Sequence, residues 1–127
     1  MSSRGKLKAV FPVVPARDVG KAVRYYVERL GFEVKFQDSK VDPHYVGVRR
    51  GGVELHIQFH SDEEFKAGAA CRCDLRLEVD DPDAFHEEYR DKDVFHERTK
   101  LGDTPWGTRE FSLFDLNRNR LTFMRDL

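Results

Sequence analysis

The chain has 127 residues, 39% of them hydrophobic and 12% aromatic, which is enough for one folded core and too short for two. The aromatic content argues against disorder, and two cysteines are too few for a disulfide scaffold. The 22 basic and 23 acidic residues leave a net charge of −1 with no basic stripe, which argues against nonspecific nucleic-acid binding. The sequence therefore predicts a single domain over residues 1–127 with no nucleic-acid partner.

The N-terminal segment places basic residues ahead of an apolar run, as a signal peptide does. The run Ala9–Ala16 has only eight residues, however, and contains Pro12 and Pro15. A transmembrane helix needs about 20 apolar residues, and the sequence has no such stretch. We therefore expect a soluble, cytoplasmic protein with no membrane partner. Cys71 and Cys73 are expected to be structural thiols, because C-x-C lacks zinc-ribbon spacing.

The first half of the chain is predicted to have a βαβββ order. Apolar, β-branched residues predict a buried strand over Leu7–Val14. Apolar residues at helical spacing predict a helix from about Asp18, its N-cap, to Leu30, with Gly31 in the left-handed position that ends it. A hairpin turn is predicted at Gly51-Gly52. The three strands that follow the helix are predicted over Phe32–Gln37, His44–Arg50 and Val53–His60.

The second half is predicted to repeat this order. Alternation predicts a strand over Arg72–Val79, and Asp81-Pro82 opens a helix that runs to about Asp93 with Phe85 and Tyr89 on its apolar side. The three strands that follow are predicted over Val94–Leu101, Thr108–Asp115 and Asn119–Arg125.

A shift of 63 residues aligns the two halves. It superimposes Asp18 on Asp81, Tyr26 on Tyr89, and Phe32 on Phe95. With the shared element order, these matches favour an internal duplication. The sequence therefore predicts an α+β fold in which paired βαβββ modules, about 7–60 and 71–126, are joined by a linker over 61–70. We expect a curved, mostly antiparallel sheet with the helices outside and a polar concave face.

Period-2 alternation assigns side chains to that concave face. On the strand Val53–His60, the concave face carries Glu54, His56, Gln58 and His60. The alternate, apolar residues of this strand point toward the helices: Val53, Leu55, Ile57 and Phe59. The other strands add Ala9, Phe11, Val13, Tyr45, Gly47, Arg49, Arg72, Asp74, Arg76, Glu78, Arg120, Thr122 and Met124. A solvated sheet surface is one interpretation, but the mixture of aromatic and charged side chains favours a pocket lining.

Two segments resemble a known family. The sequence V-P-A-R-D-V-G-K-A-V-R-Y-Y-V-E-R-L-G-F (Val14–Phe32) resembles the first-module signature of the vicinal-oxygen-chelate superfamily. The sequence T-P-W-G-T-R-E-F-S-L-F-D-L-N-R-N-R-L-T-F (Thr104–Phe123) resembles its second-module signature. The P-W-G-x-R-E-F, R-D-V and R-L-G-F segments are similar to bleomycin resistance proteins of the glyoxalase/bleomycin-resistance/dioxygenase group. The resemblance implies the same paired βαβββ fold.

The metal-dependent members of this family use four ligand positions. The resemblance places them at Phe11, Glu54, Asp74 and Thr122, of which only two carry a carboxylate. His56, two residues after Glu54, is a candidate third ligand. The alternative function is therefore a divalent-metal-dependent glyoxalase- or dioxygenase-type enzyme with an altered site of Glu54, Asp74 and His56. Because the ligand positions are largely lost, we expect no metal cofactor and no catalytic residue.

The bleomycin resistance branch implies a different function. Its members are homodimers that sequester the drug, without chemistry, in clefts at the subunit interface. The aromatic clamp of the family maps onto Trp106 and Tyr45, where flat heteroaromatic groups stack between rings. The remaining candidate ligand contacts are Phe11, Gln58, Glu110, His56 and Arg49. A third interpretation is a scaffold that binds nothing specific.

The sequence departs from the bleomycin-binding pattern in two respects. The face carries Arg49, Arg72, Arg76 and Arg120, which disfavour a cationic ligand such as bleomycin. The segment D-L-N-R-N also lacks the glycine that the family has near Arg118, so Asn117 or Asn119 is predicted to adopt the tight-turn conformation.

Overall fold

The structure is a computed structural model that describes residues 3–68 and 72–127, so Cys71 and the end of the predicted linker lie outside it. These residues form eight strands and three helices. In chain order they are β1 (Val13–Ala16), α1 (Val19–Arg24), β2 (Glu33–Gln37), β3 (Tyr45–Arg50), β4 (Val53–Phe59), α2 (Asp62–Lys66), β5 (Asp74–Glu78), α3 (Pro82–Tyr89), β6 (Gly102–Asp103), β7 (Thr108–Phe114) and β8 (Arg120–Asp126).

The strands form two four-stranded sheets of identical topology. The strand order is β1-β4-β3-β2 in the first sheet and β5-β8-β7-β6 in the second. In each sheet the first strand pairs in parallel with the last, and the other neighbours are antiparallel. The predicted α+β class and the paired βαβββ order are therefore confirmed.

The first helix begins and ends at the predicted residues but is not uniform. The Asp18 side chain accepts a hydrogen bond from the first turn of α1, as an N-cap does. The helix then continues as a π-helical turn over Tyr25–Arg29, in which the Leu30 N–H donates to Tyr25 O at 3.3 Å. Gly31 adopts the left-handed conformation at φ 81° and ends it. The wider turn was not predicted.

The second long helix begins as predicted and ends early. Asp81 caps α3 and Pro82 occupies its first turn. The helix ends at Tyr89 rather than near Asp93. Beyond it the N–H groups of Arg90 and Lys92 donate to carbonyls three residues earlier, and Asp93 adopts φ 57°. No helix within residues 3–68 and 72–127 has the length and apolar character needed to cross a membrane.

Two predicted strands are wrong. The strand predicted over Leu7–Val14 begins only at Val13 and extends to Ala16, and ahead of it Pro12 O accepts a hydrogen bond from the His56 N–H at 2.9 Å. The strand predicted over Val94–Leu101 is a turn and loop, and β6 contains only two residues. Within that loop the Thr99 N–H closes a turn on His96 O at 2.9 Å. Its apolar residues pack against the core without pairing.

The predicted alternation on β4 holds in the middle of the strand. Leu55 and Ile57 are fully buried beneath the helices. Phe59, predicted to be a core residue, is instead 39% exposed and stacks on His44 with their ring centroids 4.9 Å apart. The last residue of β4 therefore lies at the edge of the core, where it lines a pocket with the start of α1.

The two sheets meet at a buried carboxylate. Asp115 accepts hydrogen bonds from the Tyr26 hydroxyl at 2.7 Å, from the backbone N–H groups of Asn117 and Asn119 at 2.8 and 3.0 Å, and from the Asn119 amide at 2.9 Å. The Asn119 amide also donates to Pro15 O, and its Oδ1 accepts from the N–H of Cys73. Residues of both sheets are thereby joined around one turn.

A second set of hydrogen bonds joins the two halves of the chain between the first helix and α3. The Tyr89 hydroxyl of α3 donates to Leu30 O, at the end of the first helix, at 2.7 Å. Arg50 of β3 donates to the same carbonyl and forms a two-point ion pair with Glu88, with both N–O distances 2.7 Å. Tyr26 and Tyr89, the pair related by the 63-residue shift, thus each hydrogen-bond to the opposite half of the chain.

The turn of residues 115–119 is formed differently from the prediction. Arg118, not Asn117 or Asn119, adopts the left-handed conformation, with φ 67°. Both asparagine side chains are engaged elsewhere, since the Asn117 side chain accepts from the N–H of Arg17 and Asn119 contacts both sheets. The left-handed backbone conformation, which is strained for any residue except glycine, therefore falls on Arg118, and the two asparagines stabilise the turn through their side-chain hydrogen bonds.

Replacing the junction carboxylate tests its role. In Asp115→Asn, an amide nitrogen replaces one acceptor and faces buried donors, so we expect the free energy of unfolding to fall by about 3 kcal/mol. Tyr26→Phe removes a single donor and is expected to cost about 1 kcal/mol. The exposed Asp91→Asn is the control. Urea denaturation followed by circular dichroism measures all three, and equal stability of the Asp115 and Asp91 variants would contradict this role.

Candidate functional site

A cluster of aromatic and polar side chains surrounds His56 on β4. The Tyr45 hydroxyl lies 2.8 Å from His56 Nδ1, and Glu54 Oε2 lies 2.7 Å from His56 Nε2. Phe11 stacks on the imidazole with the ring centroids 5.1 Å apart and an interplanar angle of 16°. We call this group, with Phe36, the His56 cluster. Three of the predicted ligand contacts, Tyr45, Phe11 and His56, are therefore brought together.

Phe36 is a member of the cluster that sequence reasoning missed. Its ring packs edge-on against His56 at 5.1 Å and lies over Gly47, where any Cβ would collide with it. A register irregularity between Val34 and Phe36 in the pairing of β2 with β3 displaces the position from strict alternation. A glycine inside a predicted strand is the signal that marks such a close approach.

The charges around the His56 cluster are paired. Lys35 Nζ lies 2.6 Å from Glu54 Oε1. This hydrogen bond and, to a smaller extent, the hydrogen bond from His56 lower the pKa of the Glu54 carboxyl below its ordinary value. Arg49 Nε lies 2.9 Å from Glu33 Oε1. Gln58, another predicted ligand contact, is exposed opposite Tyr45 in the ladder.

The second sheet carries the other predicted contacts. Trp106, in the loop between β6 and β7, is 67% exposed and lines a pocket of about 310 Å³ with Glu110. Glu110 accepts from Arg76 at 2.6 Å and from the Thr108 hydroxyl at 2.8 Å. Desolvation alone raises the pKa of the Glu110 carboxyl, but these hydrogen bonds outweigh it and lower the pKa. Glu110 is therefore a charged acceptor beside an exposed indole.

The structure separates the predicted aromatic clamp. Tyr45 belongs to β3 of the first sheet, whereas Trp106 lies in a loop of the second, and the pocket that Trp106 lines is formed by residues of the second half. An open cleft of about 610 Å³ does join the sheets. It is lined by Phe11, Arg49 and Glu54 from the first half and by Arg76 from the second.

The four family metal-ligand positions do not fit a divalent ion. Phe11 has no donor atom, and Thr122 is buried with its hydroxyl 2.7 Å from Ser112 Oγ. Glu54 is engaged by Lys35 and His56, as described above. Asp74 is bound by the Arg120 guanidinium through two contacts of 3.1 and 2.5 Å. A site of Glu54, Asp74 and His56 would require these ion pairs to be broken.

Three of the four arginines predicted on the concave face are neutralised. Arg49, Arg76 and Arg120 pair with Glu33, Glu110 and Asp74, respectively. Within residues 3–68 and 72–127, Arg72 forms no ion pair. The face therefore repels a cation less than the arginine count alone indicates.

Comparisons with known proteins identify similarity across most of the chain. The family model described as Glyoxalase superfamily protein matches residues 3–126. The bleomycin resistance proteins of Geobacillus stearothermophilus and Staphylococcus aureus are each 23% identical, over 91% of this chain and 95% of theirs.

Solved structures share the fold. The bleomycin-binding protein of the bleomycin producer Streptomyces verticillus, complexed with copper(II)-bleomycin, is 33% identical with a TM-score of 0.76, covering 94% of this chain and 97% of that one. The bleomycin resistance determinant encoded on transposon Tn5 is 21% identical with a TM-score of 0.77, covering 94% and 98%.

The Glu110 ion pair predicts a change in acid stability. Because the pKa of folded Glu110 is lowered, its contribution is present above about pH 4.3 and is lost as pH falls through the folded pKa. In Glu110→Gln this contribution is absent, so we expect unfolding free energy to fall less steeply from about pH 4.5 to pH 3. Arg76→Met should move the loss to higher pH. Identical slopes for the Glu110 variant and the unsubstituted protein in urea titrations would refute this.

Proposed function

The chain belongs to the glyoxalase superfamily, and we propose that it binds a bleomycin-like antibiotic without converting it, in a cleft completed between the two copies of a homodimer. The resemblance read from the sequence is confirmed by the family match and by the bleomycin resistance proteins. Support for the ligand comes from the relative of 33% identity, whose structure contains copper(II)-bleomycin.

Trp106 is the observation on which the proposal rests. An indole with two-thirds of its surface exposed has a flat face available for stacking, and the residues on either side, Pro105 and Gly107, hold it in a tight loop. The Trp106 side chain is also among the groups that lower the pKa of the Glu110 carboxyl, so a charged acceptor lies beside the ring in this pocket. Stacking on Trp106 beside a charged acceptor suits a heteroaromatic ligand with polar substituents.

Tyr45 and Trp106 belong to different sheets of one chain, and this placement supports the dimer that we propose. A clamp of these two rings requires one copy to place its first sheet against the second sheet of the other. Exposed apolar side chains are available for such contact. They include Leu7 and Val10 of the N-terminal segment and Val13, Val34 and Phe36 of the first sheet.

Binding without chemistry is supported by the engagement of the donor groups. Glu54, Asp74 and Glu110 are each held by a basic side chain. Of the two other family ligand positions, Phe11 has no donor atom and the Thr122 hydroxyl is hydrogen-bonded to Ser112. A general acid or base has to exchange its proton with a substrate, which these ion pairs oppose. The cleft is accordingly proposed to recognise its ligand by stacking and hydrogen bonding, with little dependence on salt.

The first test is a titration with metal-free bleomycin, followed by Trp106 fluorescence and calorimetry. We expect saturation near one drug per chain, at least about tenfold weaker binding in Trp106→Ala, and unchanged affinity in the exposed control Leu116→Ala. Mass spectrometry should recover the drug unaltered. Binding that is equal in the Trp106 and Leu116 variants would refute the stacking role, and a modified drug would refute binding without chemistry.

Mixing variants tests the dimeric cleft. Tyr45→Ala and Trp106→Ala should each bind weakly alone, but a mixed dimer contains one cleft with both rings intact. After exchange of subunits we therefore expect binding to recover to about one site per four chains, as random pairing requires. Sedimentation should give about twice the chain mass of 14.8 kDa. A clamp within one chain would show no recovery on mixing.

A further inference from the structure

A further cavity lies at the start of β5 and β8, next to the turn that joins the sheets. It has a volume of about 300 Å³ and is lined by Arg72, Cys73, Asp74, Phe114, Arg118 and Arg120. We propose that this arginine pocket binds a small organic phosphate monoester. It shares no residue with the Trp106 pocket or the His56 cluster, so the inference does not depend on bleomycin binding.

The charge of the arginine pocket is unbalanced. Arg120 is neutralised by Asp74, whose carboxylate it contacts at two points. Neither Arg72 nor Arg118 has an acidic partner within residues 3–68 and 72–127, and both side chains are exposed. The cavity thus has a local surplus of two positive charges in a chain whose net charge is −1. Such a surplus in a concavity attracts a dianion.

Arg118 is held in position by the hydrogen bonds around Asp115. Its backbone adopts φ 67°, and its N–H donates to Asp115 O at 3.1 Å within a turn fixed by the Asp115 carboxylate. Its guanidinium lies over the Phe114 ring, 5.0 Å from the centroid. Backbone and side chain are therefore ordered before any ligand arrives, which lowers the entropy lost on binding.

The shape and chemistry of the pocket select the ligand class. Guanidinium groups present planar pairs of N–H donors that match the oxygens of phosphate and sulfate. The volume is about ten times that of one water in the liquid, so a lone oxyanion leaves space beside the half-buried Phe114. An organic group attached to the oxyanion fills that space and contacts the ring.

Calorimetric titration of the full chain with phenyl phosphate, at an ionic strength of about 20 mM, tests the proposal. We expect one site per chain, with affinity reduced at least about fivefold in Arg72→Ala and again in Arg118→Gly. Glycine accepts the positive φ of residue 118, so that variant keeps the turn. Arg24→Ala, an exposed arginine on α1, removes the same charge elsewhere and should bind as the unsubstituted protein does.

Inorganic phosphate and phenol complete the experiment. Each should bind more weakly than phenyl phosphate, because each lacks one of the two recognised groups. If phenyl phosphate gives no saturable heat up to about 10 mM, any binding is too weak for a preformed site and the proposal is overturned. The proposal is also overturned if Arg24→Ala loses as much affinity as Arg72→Ala. Equal affinity for inorganic phosphate would overturn the organic monoester. Bleomycin binding retained in Arg72→Ala would show that the two sites are separate.

Discussion

The relative position of the two sheets depends on the buried carboxylate of Asp115. Four neutral donors surround its two oxygens, and these hydrogen bonds offset the cost of burying a polar group. Asn119, itself fully buried, extends this network to Pro15 of β1 and to the residue before β5. Because β1 and β5 are edge strands of different sheets, the network determines how those edges lie side by side.

That placement determines which side chains can act together. The cleft between the sheets takes Phe11 and Glu54 from one half and Arg76 from the other, and both Glu54 and Arg76 are already ion-paired. The polar face therefore carries many charged side chains, but most of them are cancelled by an oppositely charged neighbour. A surface of this kind recognises ligands chiefly through its rings and hydrogen-bonding groups, since paired charges exert little attraction at range.

The second sheet carries two chemically different pockets. One presents the exposed Trp106 beside the acceptor Glu110, and the other presents Arg72 and Arg118 beside Phe114. Both are built on short turns supported by hydrogen bonds, which position the side chains more firmly than a long loop does. Arg118, in its left-handed conformation, belongs both to the turn around Asp115 and to the second pocket. The strained backbone of this residue therefore supports the turn and also places a guanidinium at the pocket.

The sequence alone determined the repeated βαβββ order, the helix caps Asp18 and Asp81 and the family, because each of these follows from residues close together in the chain. Only the tertiary structure decided where β1 begins, that Val94–Leu101 does not pair, that Arg118 takes the turn, and that Tyr45 and Trp106 are apart. The reason is physical: strand pairing, turn conformation and charge neutralisation depend on partners distant in sequence, which local pattern does not specify.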